Sequence, residues 1–293
     1  MPTVRVLFDA PGLELGVFRC VPGDPAWRSE NCVGEGYHVV IPGPPVLIAQ
    51  SWTRPVVTNM NHAVFYNSQE IYRRGLLSDR GDHCVFIRAD VAVVREIAVD
   101  ADPGLGDPSE FRFPFVDGPL DARTHLEHRI LVERLAGEEP PDRLFAEEAV
   151  VQLLRKAVDQ SVNARREAQG GRLVRRRATT VDQRELVEAA KIVLSRRFTE
   201  PLGLHEIAAA VHASPFHLAR VFRAYTGSGL HAYRTQLRLR SSLEALADPH
   251  REVRGVALEL GFASSSHFIE SFRDAFGLSP TTYRRVAGGA LRN

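Results

Sequence analysis

Several residue types and patterns that mark particular classes of protein are scarce in this sequence of 293 residues. It has three cysteines, Cys20, Cys32 and Cys84, too few and too odd a number for a disulfide framework. No apolar run approaches the roughly 20 residues that are needed to span a bilayer. The N-terminal stretch carries acidic residues inside its apolar part, unlike a secretory signal. We therefore expect a cytosolic protein that does not contact membranes.

Motifs that carry catalysis are absent from the sequence as well. It has no glycine-rich phosphate loop and no Gly-x-Ser-x-Gly elbow. A metal-dependent enzyme needs closely spaced histidines and a carboxylate, whereas His38 and His62 are single and His83 has only Cys84 beside it. We therefore expect no catalytic residue, no metal site, no cofactor and no enzymatic activity.

The three cysteines leave two interpretations open. Together with His38 or His83 they have the chemistry to bind a thiophilic metal or to respond to oxidants. Cysteine is also a common small apolar residue of protein cores, and the paired spacing of a zinc site is missing. We favour the structural role.

Charge is distributed unevenly along the chain. From Arg172 to the C-terminus there are 19 Arg and Lys against 11 Asp and Glu, a net of +8, whereas residues 1–171 hold 18 against 25, a net of −7. Nearly all of the basic residues are arginine, which suits bidentate contacts to phosphate or guanine. The asymmetry indicates either a polyanionic partner for the C-terminal part or a solvated basic face.

The first 118 residues have the pattern of a β-domain. Short runs of β-branched and aromatic residues are separated by Gly, Pro, Asn and Asp, which is typical of strands and turns. The runs are VRVLF, YHVVI, PVLIA, HAVFY, CVFIRA and VAVVREIAV. Several short strands at this spacing predict a barrel or a sandwich.

The pattern changes to a helical period at about residue 119. Two helices are predicted within 119–165, the first around Leu126–Leu135 and the second from about Asp142, with a break at Pro140 and Pro141. They either pack on the β-domain or form a dimer interface. Residues 166–181, with two glycines and clustered arginines, are predicted to be a flexible linker.

The remainder of the chain, 182–293, is predicted to be entirely helical. The apolar spacing and the cap residues indicate seven helices. Their predicted ranges are 182–198, 203–211, 215–225, 229–247, 252–260, 264–275 and 280–286.

An internal repeat organises this helical part. IAAAVHASPFHLARVFRAYTGSGLHAY (207–233) and VALELGFASSSHFIESFRDAFGLSPTTY (256–283) each contain a short helix, a turn, a serine and a second amphipathic helix. Each copy has Phe-Arg, then Gly five residues after the Phe, then Tyr six residues after that Gly. The offset is 49 residues before the turn and 50 after it. Agreement at this level of detail indicates duplicated units.

Each copy has the features of a helix-turn-helix. Gly261 and His212 occupy the turn, where a left-handed conformation is expected. Ser264 and Ser214 are placed to cap the second helix through their hydroxyls. A continuous helix over 229–247 joins the two units, so that two second helices face one side of a duplex.

Residues 184–285 resemble the DNA-binding domain of the AraC/XylS transcription regulators. The resemblance is carried by LHEIAAAVHASPFHLARVFRAYTG, YRTQLRLRSSLEAL and VALELGFASSSHFIESFRDAFGLSPTTYRR. It implies two helix-turn-helix units that bind double-stranded promoter DNA, and an α+β chain of two domains whose β-domain (1–118) is cupin-like. It also implies a small-molecule effector, a homodimer and RNA polymerase as a candidate partner.

The resemblance assigns DNA contacts to both units. Base-reading positions are Pro215, Phe216, His217, Ala219, Arg220, Ser264, Ser265, Ser266, His267 and Glu270. Phosphate-contact positions are Ser214, Arg223, Arg238, Arg254 and Arg273. Two positions depart from the family pattern, because His212 replaces the usual turn glycine and Glu270 stands where a basic residue is frequent. Glu270 repels phosphate, which makes Arg220 the expected main base-reader.

Effector binding is expected in the β-domain. Candidate pocket residues are Trp27, Tyr37, His38, Trp52 and Arg54, chosen as aromatic and polar residues of that domain. Two alternatives remain: a cupin-type metal-binding protein or enzyme with a DNA-binding tail, and a constitutive regulator whose β-domain only dimerises.

Overall fold

The computed structural model describes the backbone of residues 2–105, 111–170 and 177–287. The chain has an α+β architecture of two compact units. Unit 1 comprises residues 1–124 and 138–167, and unit 2 comprises residues 125–137 and 168–293. Residues 125–137, which are part of the predicted helical extension (119–165), group with the C-terminal helices.

Unit 1 is built on two antiparallel sheets. The strands are β1 (Thr3–Ala10), β2 (Leu13–Cys20), β3 (Asn31–Cys32), β4 (Tyr37–Pro42), β5 (Val46–Gln50), β6 (Val56–Thr58), β7 (His62–Tyr66), β8 (Ile71–Leu76), β9 (Asp82–Ala89) and β10 (Asp117–Pro119). One sheet has the order β1-β2-β9-β4-β7-β10 and the other β3-β8-β5-β6. The predicted β-domain is confirmed, and its alternating strands give each sheet two distinct faces.

One predicted strand is a helix. The run VAVVREIAV forms α1 (Val91–Ala101), with Asp90 at its N-cap position. Its buried residues are Val94, Ile97 and Ala98, which share one helical face. The strand prediction was wrong because β-branched composition outweighed the three-residue spacing of these apolar positions, which is a helical period.

Two helices follow the strands, as predicted: α2 (Ala122–Ala136) and α3 (Arg143–Gly170). The predicted linker over 166–181 is helical at both ends, because α3 extends to Gly170 and the next helix begins at Arg177. Its arginine, glutamate, alanine and glutamine residues favour helix strongly enough to extend both elements. Residues 171–176 lie outside the described part of the chain.

The predicted helices of the C-terminal part are confirmed with small shifts of their ends. They are α4 (Arg177–Arg197), α5 (Leu204–Ala210), α6 (Pro215–Thr226), α7 (Leu230–Ala247), α8 (Val253–Glu259), α9 (Ser265–Phe276) and α10 (Pro280–Ala287). The connector α7 packs against α4, α6, α8, α9 and α10. Among the described helices, none is long and apolar enough to cross a membrane.

A pair of buried histidines lies on the part of α2 that belongs to unit 2. The His125 and His128 rings are 5.1 Å apart, and His128 Nδ1 lies 3.2 Å from the His125 carbonyl oxygen. Burial and the charge of Arg129 lower the pKa of His128 to about 3. Burial is the main reason why the pKa of His125 lies well below its ordinary value. The nearby positive charges of Arg240 and Arg129 and the neighbouring His128 lower this pKa further.

We expect this pair to make unit 2 sensitive to mild acid. Both imidazoles are neutral when folded, and once exposed by unfolding they bind protons at an ordinary pKa of about 6.5. The stability that they contribute is therefore present above pH 6.5 and is lost as the pH falls towards about 3. The expected slope is roughly 1 kcal/mol per pH unit for each histidine.

The measurement is urea unfolding, followed by far-UV circular dichroism, at pH 7, 6 and 5. We expect His128→Leu to reduce the loss of stability between pH 7 and 5. The control is His250→Gln, because His250 is exposed and its imidazole is solvated in both states. An unchanged slope in His128→Leu would contradict the expectation.

Candidate nucleic-acid interface

The turns and caps of the two repeated units have the predicted geometry. Ser214 Oγ accepts a hydrogen bond from the His217 backbone N–H, and Ser264 Oγ accepts one from the His267 N–H, each at 3.2 Å. These bonds satisfy backbone donors that the first turn of a helix leaves without partners. His212 has a φ of 53°, the left-handed conformation that was predicted for the turn of the first helix-turn-helix.

The turn of the second helix-turn-helix, between α8 and α9, admits only glycine. Gly261 has a φ of +79°, and a Cβ built there would lie 2.0 Å from the Thr199 carbonyl oxygen. A Cβ at this position would also lie 2.8 Å from Arg238 Nη2. The absence of a side chain therefore allows the turn to contact the segment that follows α4.

The aromatic packing of the first helix-turn-helix is repeated in the second, 50 residues further along the chain. The Phe222 ring meets the Tyr233 ring at 5.3 Å, and the Phe272 ring lies 6.2 Å from Tyr283. The Tyr283 hydroxyl donates to the Leu243 carbonyl of α7. Each second helix is therefore anchored by its buried face, which fixes the orientation of its other face.

The first helix-turn-helix exposes the N-terminal part of α6. Phe216 is 81% exposed, and Arg220 and Arg223 are exposed, while Pro215, His217 and Ala219 are half-buried. Arg220 Nη2 lies 3.4 Å from His217 Nδ1, so these two side chains share one end of the helix. An apolar ring beside a guanidinium is a combination that can contact both a thymine methyl and a guanine edge.

The second helix-turn-helix exposes a more polar surface. Ser264, Ser266, His267, Glu270 and Arg273 are exposed on α9 or at its cap, and the half-buried Ser265 lies among them. Arg254 is exposed on α8. The serines keep this end of the helix narrow, which permits a close approach by another molecule.

Arg238 is not available for a phosphate contact, which corrects the prediction for this residue. It is 8% exposed, and its guanidinium donates to the carbonyl oxygens of Phe198 (2.5 Å), Gly261 (2.7 Å) and Glu200 (2.9 Å). Desolvation lowers its pKa to about 10. The sequence held a usable signal, because Arg238 lies between Leu237 and Leu239, which are both buried.

Two further arginines that the sequence analysis did not single out have the same structural role. Arg234 donates to the carbonyl oxygens of Glu200 and Leu202. Arg284 donates to the carbonyl oxygens of Leu246 and Arg251. Part of the positive charge of the C-terminal region therefore serves folding, and Arg220, Arg223, Arg254 and Arg273 present exposed guanidinium groups.

Unit 1 contains a cavity of about 410 Å³ between its two sheets. Alternate residues of the strands line it: His38, Val40 and Pro42 on β4, and Asp82, Cys84, Phe86 and Arg88 on β9. The intervening residues point to the opposite face of the sheet. One of the five candidate pocket residues, His38, lies in this cavity.

The other four candidates lie elsewhere. Tyr37 precedes His38 on the same strand and faces away, and its hydroxyl donates to the Phe111 carbonyl. Trp27 packs against an apolar cluster next to the cavity, and its indole N–H donates to the Val21 carbonyl. Trp52 and Arg54 are exposed. Adjacent strand residues cannot line the same cavity, so Tyr37 and His38 were incompatible choices.

Several polar groups of the cavity have pKa values that burial has moved. Burial raises the pKa of Asp82 to about 6, although Arg74 beside it acts in the opposite direction. Burial lowers the pKa of His38 to about 4 and raises that of the Cys84 thiol well above its ordinary value. At neutral pH, His38 is therefore a neutral imidazole and Cys84 a thiol rather than a reactive thiolate.

The cysteines and acidic residues do not form a recognisable metal site in the described part of the chain, where no group of three or more His, Cys, Asp or Glu is arranged to hold an ion. All three cysteines are free thiols, with Cys20 buried, Cys84 half-buried and Cys32 exposed.

The repeated units, their caps and their shared connector define the C-terminal part as a double helix-turn-helix domain. A family model described as "Helix-turn-helix domain" matches residues 207–286. This part of the chain is therefore a helix-turn-helix domain, and it resembles the DNA-binding domain of the AraC/XylS regulators.

Individual relatives match about a third of this chain. The Right origin-binding protein of Escherichia coli is 33% identical over 105 residues, 36% of this chain and 36% of its own length. The bifunctional transcriptional activator/DNA repair enzyme AdaA of Bacillus subtilis is 28% identical over 103 residues, 35% of this chain and 49% of its own length. The chain thus spans less than half the length of each of these relatives.

A solved structure is similar over a comparable share of the chain. It is a transcriptional regulator with an AraC-type DNA-binding domain from Chromobacterium violaceum, 26% identical, with a TM-score of 0.35. The match covers 39% of this chain and 99% of that structure.

Proposed function

We propose that this chain is a sequence-specific, double-stranded DNA-binding transcription regulator. The observation that carries the proposal is the repetition of one exposed, serine-capped helix end on α6 and α9, 50 residues apart, with α7 between them. At about 1.5 Å per residue, the 18 residues of α7 span about 27 Å. A connector of this length suits recognition of successive major grooves on one side of a duplex.

In the proposed complex, the N-terminal parts of α6 and α9 enter the major groove. Arg220 donates to a guanine edge and Phe216 packs on a thymine methyl. Arg223, Arg254 and Arg273 neutralise phosphates, and the Ser214 hydroxyl donates to one while its oxygen caps α6. At α9, Ser264, Ser265, Ser266 and His267 contact base edges and Glu270 accepts from a cytosine amino group.

Unit 1 is proposed to sense a small-molecule effector or to dimerise. Its cavity of about 410 Å³ has the size and the largely apolar lining of small-molecule sites. Effector binding would change how two copies of the chain present their DNA-binding parts. The homodimer and a contact with RNA polymerase belong to the same proposal.

Selection of bound sequences from a random DNA pool tests this function. The purified protein is used at physiological salt without added ligand, because salt controls how strongly non-specific phosphate binding competes. We expect a bipartite site whose halves are about 10 base pairs apart. Enrichment of one short element alone would reject base reading by α9, and no enrichment with or without ligand would reject the proposal.

We expect Arg220→Ala to flatten the sequence preference at one position of the selected site. The loss of a bidentate contact costs about 1–3 kcal/mol at that base. Arg223→Ala is the matched control, since this arginine is exposed on the same helix and its removal should weaken all sequences equally. Identical selected sequences for the Arg220 variant and the wild type would exclude Arg220 as a base-reader.

Two other functions compete with this proposal. A metal-binding protein or enzyme with a DNA-binding tail predicts stoichiometric metal in the purified protein, which elemental analysis measures. A constitutive regulator predicts promoter binding that no ligand alters. A triple Cys→Ser variant with intact binding and response would exclude a sensor function of the cysteines.

A further inference from the structure

The charged groups around the unit 1 cavity restrict the chemistry of what it can hold. Its lining includes three carboxylates, Glu14, Glu35 and Asp82, and one arginine, Arg88. Arg88 Nε is 3.3 Å from Glu14 Oε2, and its Nη1 is 3.2 Å from Asp90 Oδ1. Glu14 and Arg88 are therefore paired with each other, and Glu35 is exposed to solvent, so an incoming carboxylate finds no free cation among these groups.

A second arginine, Arg74, contacts residues of the lining, and its guanidinium group also already has partners. Arg74 Nη1 contacts Asp82 Oδ2 at 3.0 Å, and its Nη2 donates to the Tyr72 hydroxyl. Its guanidinium carbon stacks 4.7 Å from the centre of the Phe18 ring. Because this buried ion pair neutralises Asp82, the deep part of the cavity also lacks a free counter-charge for an ammonium group.

The cavity nevertheless offers hydrogen-bond acceptors. His38 Nδ1 lies 3.2 Å from the Gly36 carbonyl oxygen, so in the neutral ring Nδ1 carries the proton and Nε2 keeps a lone pair. Asp82 binds Arg74 through Oδ2, which leaves Oδ1 as a second acceptor on the lining. Both groups favour a ligand that donates a hydrogen bond.

Most of the rest of the lining is apolar or aromatic, and Cys32, Thr58 and Cys84 also belong to it. Phe18, Phe86, Tyr66 and Tyr72 contribute rings, and valine, isoleucine and proline fill the space between them. Such walls stabilise a flat or compact apolar body through dispersion and the hydrophobic effect. A charged group on the ligand would lose its hydration here without a partner to replace it.

We infer that the cavity binds a small, neutral, largely apolar alcohol or phenol and selects against carboxylates and ammonium ions of the same size. This inference rests on the proposal that unit 1 senses an effector, and it identifies the chemical class of that effector. The hydroxyl donates to His38 Nε2 or to Asp82, while the apolar body lies among the aromatic rings.

Three probes of one shape test the inference: 2-naphthalenemethanol, 2-naphthoate and 2-naphthylmethylamine. Binding to the full chain without DNA is measured by naphthyl fluorescence. We expect the alcohol to bind at least about tenfold more tightly than either charged probe. Equal or tighter binding of the naphthoate or the amine, or no binding of the alcohol, would overturn the inference.

Two variants locate the binding. Val40→Phe fills part of the cavity and should abolish binding, whereas Val91→Phe places the same change at an exposed position of α1 and should leave it intact. His38→Phe removes one acceptor and should weaken the alcohol about tenfold while sparing the charged probes. Unchanged alcohol binding in Val40→Phe would place it outside the cavity and refute the inference.

The outcome is separable from that of the proposed function. DNA selection uses the protein without probe, and probe binding uses the protein without DNA. Alcohol binding together with no enrichment of DNA, whether or not the alcohol is added to the selection, would leave the ligand class standing and reject DNA recognition. A selected DNA site together with preferential naphthoate binding would do the reverse.

Discussion

Gly261→Ala is expected to destabilise unit 2 by about 2–5 kcal/mol. The left-handed conformation of this turn costs a residue with a Cβ about 1–2 kcal/mol, and forcing extra atoms into a packed site costs about 1–3 kcal/mol more. The contact in question is 2.0 Å from the new Cβ to the Thr199 carbonyl oxygen, which is backbone and cannot rotate away. The turn would have to separate from the segment that follows α4.

Two glycines of the same unit provide matched controls. Gly227 has a φ of +72° but open space around its Cα, so Gly227→Ala should cost only about 1–2 kcal/mol. Gly255 lies inside α8, also in open space, and Gly255→Ala should stabilise the helix by up to about 1 kcal/mol. Equal effects of the Gly261 and Gly227 substitutions would show that the close contact has no energetic weight.

Urea unfolding followed at two wavelength ranges separates the units. Far-UV circular dichroism follows the helices, which predominate in unit 2. Both tryptophans, Trp27 and Trp52, belong to unit 1, so their fluorescence serves as an internal reference. The Gly261 variant should shift the helical transition and leave the tryptophan transition in place.

Arg238→Met is expected to cost about 3 kcal/mol of stability. Methionine keeps much of the aliphatic bulk but removes the donors that satisfy the carbonyl oxygens of Phe198, Glu200 and Gly261. Each buried acceptor left without a partner costs about 1–3 kcal/mol, and hydrogen bonds to a charged group are stronger than neutral ones. The loss should be visible in the same helical transition.

The salt dependence of DNA binding distinguishes this role from a phosphate contact. If Arg238 is structural, the slope of log affinity against log salt should stay unchanged in Arg238→Met under conditions where the protein is folded. Arg254→Met is the control, because Arg254 is exposed. Its slope should fall by about 1, with stability changed by less than about 0.5 kcal/mol. The opposite pattern would restore Arg238 as a phosphate contact.

Local features of this protein followed directly from the sequence. The caps Ser214 and Ser264 and the left-handed turns at His212 and Gly261 depend on a few adjacent residues, and all four have the predicted geometry. The two helix-turn-helix copies were visible as a repeat because each has the same short-range spacing of small, polar and aromatic residues.

Choices between faces and partners were decided by the tertiary structure. Arginines of similar appearance divide into exposed ones such as Arg220 and a buried one, Arg238, because only the fold brings three backbone carbonyls to the latter. The cavity has the same origin: β4 and β9 are distant in sequence, and their pairing places His38 and Asp82 on one lining. The sequence by itself determined the repeat, its turns and caps, and most of the helices, since these depend on neighbours along the chain. Helix α1, which was predicted to be a strand, is an exception. The tertiary structure decided which polar groups already have hydrogen-bond or ion-pair partners and which remain available, since those partners lie up to 74 residues away.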